Sequence, residues 1–153
     1  MLACGSAVTV VQKYFPHASI TGVELDPAMV EIGEKYFRLN NSNNSTVNIA
    51  DAFEFVKSVK KQTFDLILVD LYIGNSTPAF LESGDFLHAI KKILTPDGFV
   101  IFNRLRGKKK EKELVDFKIK LEKMFDSVSI VKPLINSLFI ASKQSLEFNG
   151  LNH

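Results

Sequence analysis

Phe64-Asp65-Leu66-Ile67-Leu68-Val69-Asp70 is the most apolar run in the chain, and a carboxylate closes it. So short a run with an almost continuous apolar centre marks a strand buried on both faces, as in parallel sheets covered by helices. Working outward, Ile20 to Leu25 reads as a strand after the Pro16-His17 turn, and Thr46 to Ile49 as another. Downstream, Phe99 to Phe102 follows the Pro96-Asp97-Gly98 turn. Ser127 to Val131 and Leu138 to Ser142 flank a short turn near Pro133 to Ser137. Helical spacing fills the gaps: Val8, Val11, Phe15; Val30, Gly33, Phe37 after the Asp26-Pro27 start; Ala52, Val56, Val59; Phe86, Ile90, Ile93, Leu94; and Leu114, Phe117, Leu121, Met124, Phe125. Strands alternating with helices predict an α/β fold, a mostly parallel sheet with helices on both faces. The last two strands, joined by a short turn, predict an antiparallel edge pair.

The 153 residues suit one domain, read as 1–143 with a tail at 144–153. The composition, 46% apolar and 24% charged, matches globular averages and excludes disordered and fibrous classes. A net charge of +2 is too small to argue for nucleic acid, and none is expected as a partner. No apolar run approaches the roughly 18 residues of a membrane span, so no membrane association is expected. Cys4, the single cysteine, excludes an internal disulfide framework and fits a reducing cytoplasm. His17 and His88 lack metal-ligand spacing, so no metal is expected.

Ligands of open α/β sheets bind beyond the carboxyl ends of the strands. Ala3-Cys4-Gly5-Ser6-Ala7 opens a helix after a first strand of which only Met1 to Ala3 are present. The chain is therefore expected to be amino-truncated or to carry a stub there. Gly5 and Ser6 can admit a ligand to the backbone, or simply make a tight turn. Glu24 lies 19 positions after Gly5, close to the spacing of an acid that grips ribose hydroxyls. Asp26, before Pro27, reads better as a helix N-cap. Asp51, with Glu54 three positions on, reads equally as a capping box or as an acceptor for a purine amine. Asp70 needs solvent, a hydrogen-bond partner or a substrate cation, and the long 71–84 connection after it suggests a functional loop. Tyr72 can stack on a base or pack the loop. The basic stretch from Arg104 to Lys110 reads as a solvated loop.

Cys4-Gly5-Ser6-Ala7, Val23-Glu24-Leu25-Asp26-Pro27, Ala50-Asp51-Ala52-Phe53, Phe64 to Asp70 and Leu94-Thr95-Pro96-Asp97-Gly98 stand in the order of class I S-adenosylmethionine-dependent methyltransferase folds. Among these the chain resembles the spermidine synthase (polyamine aminopropyltransferase) family, through Glu24-Leu25-Asp26-Pro27, Val69-Asp70 with Pro78 in the loop, and Phe86-Leu87. The resemblance implies a Rossmann-like domain that binds S-adenosylmethionine or its decarboxylated form as co-substrate. Gly5, Ser6, Glu24, Leu25, Asp51, Ala52 and Asp70 would hold the nucleoside. Asp70 would also deprotonate the attacking amine, and Tyr72 would contact the acceptor, a small amine such as putrescine; a homodimer is allowed. Ile73 stands where that family carries a second acid, and Ala3, Cys4 and Ser6 where it carries glycines and an acid. Two other functions stay open: a non-catalytic nucleoside-binding or assembly module, and a small-molecule methyltransferase.

Overall fold

The computed structural model describes residues 6–37, 44–74, 76–107 and 110–145. Contacts divide the chain into two compact units, Met1–Ser58 and Val59–His153. The expected first strand and Gly5 lie outside the described residues.

In the first unit, α1 (Ser6–Tyr14), β1 (Ile20–Glu24), α2 (Pro27–Phe37), β2 (Ser45–Ile49) and α3 (Ala52–Ser58) alternate as the apolar spacing predicts. β1 and β2 pair in parallel, with Glu24 opposite Ile49. The α2 start has the chemistry of an N-cap: Asp26 Oδ1 accepts the Ala28 N–H at 2.9 Å. Pro27 then occupies a position whose missing N–H costs nothing. Val8 of α1 and Val30 of α2 bury against Ile20 and Val47 of the strands. Phe15 departs from the expected apolar face of α1 and is 63% exposed. The helix ends at Tyr14 because Phe15 precedes Pro16, which disfavours helical backbone at that residue.

In the second unit, β3 (Phe64–Val69) leads through a 3-10 turn (Ala79–Glu82) to α4 (Gly84–Ile93), β4 (Leu94–Leu105), α5 (Glu111–Met124), β5 (Ser127–Val131) and β6 (Asn136–Ser142). The sheet order is β3-β4-β6-β5. β3 and β4 are parallel, and β6 runs antiparallel to both β4 and β5. The C-terminal antiparallel pair is thus present, with β6 rather than β5 beside β4. Ser83 caps α4 by accepting the Phe86 N–H at 3.2 Å. Phe86, Ile90, Ile93 and Leu94 are all buried, as their spacing predicts. Phe117 of α5 sits edge-on to Phe102 of β4 and Phe139 of β6, with ring centroids 5.3 and 5.2 Å away.

Two expectations are corrected here. β3 is not buried on both faces: Leu66 and Leu68 are 38% and 47% exposed. Within this unit β3 is an edge strand, and α5 covers the face that carries Phe102 and Arg104. Leu66 and Leu68 alternate onto the other face. The basic stretch is not a loop from its start either, because β4 runs on to Leu105. Arg104 is buried, pairs with Glu82 and lies 4.3 Å over the Phe117 ring.

Candidate active site

The first unit brings its carboxylates to the carboxyl ends of two adjacent parallel strands. Glu24 ends β1 and is only 8% exposed. Its Oε1 accepts the backbone N–H groups of Leu25 at 3.0 Å and Asp26 at 3.2 Å. Glu24 is therefore not a solvated strand-end acid; its carboxylate is fastened over the turn that follows β1. Leu25 is 66% exposed beside it. Across the sheet, Asp51 follows β2 as the cap of α3. Its Oδ1 accepts the N–H groups of Phe53 at 2.9 Å and Glu54 at 3.0 Å. The reciprocal arm of a capping box is not made, since Glu54 turns to Lys57 at 2.5 Å. Ala52 opens α3, half-buried. Ser6 is the first residue of α1, and Gly5 lies outside the described residues.

The second unit contains Asp70 and Tyr72. The β3–β4 register sets Val69 beside Phe102, so the next residues along, Asp70 and Asn103, meet across the strand ends. Asn103 Nδ2 donates to Asp70 Oδ1 at 2.9 Å. The Tyr72 hydroxyl donates to the Asn103 main-chain oxygen at 2.8 Å. Tyr72 thus ties the loop to β4. Burial raises its phenol above the ordinary value of 10.0, and the nearby Asp70 charge adds to the rise. Ile73, the next residue, is 73% exposed, and its N–H donates to Ser76 O at 2.9 Å. Sequence reasoning missed Asn103. The signal was a lone amide closing the apolar run Phe99-Val100-Ile101-Phe102.

Two cavities of the second unit do not include Asp70, Tyr72 or Asn103 in their linings. One of about 690 Å³ sits between α5 and the β5–β6 hairpin, with Leu114, Ile130, Leu134 and Phe139 in its lining. The other, of about 610 Å³, is lined by Glu82, Arg104 and Lys120 among others. Among the described residues no group of three or more His, Cys, Asp or Glu side chains could hold a metal ion. No helix among them is long and apolar enough to cross a membrane.

Carboxylates at the ends of successive parallel strands are the arrangement from which nucleoside-binding α/β domains work. Residues 4–146 match the family model described as the spermine/spermidine synthase domain. The chain belongs to that family. The human eEF1A lysine and N-terminal methyltransferase is 33% identical over 114 residues, which cover 67% of this chain and 16% of that protein. The polyamine aminopropyltransferase of Vibrio vulnificus is 32% identical over 104 residues, covering 67% of this chain and 35% of that one. The match thus spans a minority of the length of either protein; both names are those of transferases. The crystal structure of human methyltransferase-like protein 13 in complex with SAH superposes with a TM-score of 0.79 at 25% identity. It covers 95% of this chain and 70% of that one. The spermine/spermidine synthase domain here is accordingly a Rossmann-like methyltransferase fold, with parallel pairing in each unit and an antiparallel C-terminal pair.

Proposed function

We propose that this domain binds S-adenosylmethionine or its decarboxylated form and transfers an aminopropyl or methyl group to a small amine. The observation that carries the reading is the Asp70 carboxylate at the end of β3, held by Asn103 at 2.9 Å. The residues fit a nucleoside co-substrate. Glu24 is a buried carboxylate with one oxygen fastened by two N–H groups, so its orientation is set before any diol arrives. Gly5, Ser6, Leu25, Asp51 and Ala52 complete the proposed nucleoside contacts. A bound sulfonium supplies an electrophilic carbon whose C–S electrons leave on sulfur. The chain supplies the proton acceptor. An alkylammonium titrates near about 10.4 and cannot attack while protonated. Asp70 takes that proton, and the freed lone pair forms the new N–C bond. Tyr72 borders the acceptor. A cytoplasmic setting belongs to this reading, and neither nucleic acid nor a membrane takes part in it.

Methyl rather than aminopropyl transfer is the second reading. It draws on exposed, apolar Ile73 at the place of the second acid and on the 33% identity to the human methyltransferase. Calorimetric titration with S-adenosylmethionine, decarboxylated S-adenosylmethionine and methylthioadenosine comes first, followed by single-turnover transfer to putrescine. Aminopropyl transfer is expected with the decarboxylated donor. Tight nucleoside binding with no transfer of either group would leave a non-catalytic module. In an active protein, Asp70→Asn should keep nucleoside affinity and lower the single-turnover rate at least about 100-fold.

A further inference from the structure

Asn103 has three polar atoms whose partners can be followed. Its Nδ2 donates to Asp70 at 2.9 Å, which also settles which way the amide faces, because a carboxylate only accepts. Its main-chain oxygen receives the Tyr72 hydroxyl at 2.8 Å. Its Oδ1 is buried and has no hydrogen-bond partner among the described residues. A buried acceptor without a donor is costly, and at a strand end beside a carboxylate a ligand or an ordered water can complete it.

We propose that Asn103 both aims the Asp70 carboxylate and selects the acceptor, its Oδ1 receiving an N–H of the group that attacks. This deepens the transferase reading and rests on it. The selection follows from counting protons. A primary amine carries two N–H donors, so it can serve Asp70 and Asn103 Oδ1 together. An alcohol or thiol carries one, and once that proton goes to Asp70 nothing is left to donate to Asn103 Oδ1. A site built to hydrogen-bond a donor discriminates strongly against a ligand that lacks it. Tyr72 supports this arrangement, because its hydroxyl donates to the Asn103 main-chain oxygen and ties the loop to β4 there. Asn103 is a positioning residue toward Asp70 and a binding residue toward the acceptor.

The test uses the whole chain, Asn103→Leu and Tyr72→Phe. S-adenosylhomocysteine affinity is measured first; then n-butylamine, putrescine and 1-butanol are titrated into the nucleoside-loaded protein. In wild type both amines should bind more tightly than butanol. Asn103→Leu should weaken both amines by about tenfold or more, the effect of one charge-assisted hydrogen bond. It should leave butanol within about twofold and lower the melting temperature by no more than about 4 °C, the shift that loss of the single Asn103–Asp70 hydrogen bond gives a chain this size. Where transfer is measurable, Tyr72→Phe should lower kcat severalfold, by a larger factor than it raises KM. Equal loss of nucleoside affinity, amine affinity and melting temperature in Asn103→Leu would make Asn103 a folding residue and overturn the proposal. Unchanged amine affinity would overturn it too. Wild-type protein that binds the nucleoside but prefers neither amine over butanol overturns the selection and leaves the nucleoside domain standing. Wild-type protein that binds no nucleoside removes the transferase reading and this inference with it.

Discussion

Asp51 and Glu24 each hold local backbone with one carboxylate oxygen and are also proposed nucleoside contacts, and conservative substitutions separate the two roles. Asp51 Oδ1 caps α3 through the N–H groups of Phe53 and Glu54. Asparagine caps as well as aspartate, so Asp51→Asn should keep the melting temperature, whereas Asp51→Ala should cost about 1 kcal/mol. If Asp51 also grips the adenine amine, Asp51→Asn weakens nucleoside binding without touching stability, and paired calorimetry and melting measurements read this directly. Glu24 Oε1 holds the turn after β1, so removing the side chain would disturb that turn as well as any ligand. Glu24→Gln retains an acceptor for the Leu25 and Asp26 N–H groups and loses the charge. It should fold normally and bind the nucleoside about tenfold more weakly, the lower range for a charge-assisted bond. Unchanged affinity would remove Glu24 from the site. The caps at Asp26 and Asp51 were readable because capping depends on residues two or three positions away. Asn103 was not, because its meeting with Asp70 depends on the pairing of strands 33 residues apart in sequence.

Among the elements, β4 has the most in it that local pattern does not show. Apolar character marks Phe99 to Phe102, yet the strand spans Leu94–Leu105. Its pairing with β3 jumps from Phe64↔Leu94 to Leu66↔Phe99, so the Pro96-Asp97-Gly98 turn becomes a bulge inside the strand. Gly98 is required there: a Cβ would lie 2.9 Å from Phe64 O and 3.0 Å from Asp65 O, both main-chain atoms. Arg104 extends the strand's inward row, because its flat guanidinium lies over the Phe117 ring while Glu82 supplies the counter-charge. Burial pushes its guanidinium below the ordinary value, and Glu82 opposes that shift. Glu82 also accepts from Lys120 at 2.9 Å. Removing Glu82 leaves a buried cation without its main partner. Glu82→Ala should therefore destabilise by about 2 kcal/mol, below the 3–5 of a fully buried pair because Glu82 keeps some solvent. The double variant Glu82→Leu/Arg104→Met should recover most of that loss in urea unfolding. A double variant less stable than Glu82→Ala would show that the pair does more than balance charge. The helices were more readable: Phe86, Ile90 and Ile93 show their buried face by spacing alone.

At the scale of the whole molecule, the order of strands and helices was readable because each is a local pattern of period 2 or 3.6. Which strand faces remain open was not, because that depends on what covers them, as Leu66 and Leu68 show. The two units also differ in how they are held together. Among the described residues, the first buries Val8 and Val30 against Ile20 and Val47, with Val56 on α3. The second buries Phe86, Phe102, Phe117, Phe125 and Phe139, with Leu87, Ile90, Ile93 and Leu121. Each buried large side chain contributes about 1.5–3 kcal/mol, so resistance to opening should be uneven along the chain. Native-state hydrogen exchange in low denaturant resolves this. Amides of Val100, Phe102 and Phe139 should exchange only through global unfolding, with the full denaturant dependence. Amides of β1 and β2 should exchange through a smaller opening with a shallower dependence. A ligand that binds Glu24 and Asp51 must stabilise the closed form of that opening, since it binds only there. Saturating S-adenosylhomocysteine should therefore slow exchange in β1 and β2 by a larger factor than in β4 and β6. Exchange at one common free energy throughout would show that the chain opens as a single cooperative body. Uneven exchange that the nucleoside leaves unchanged would separate the stability gradient from the proposed site and count against the latter.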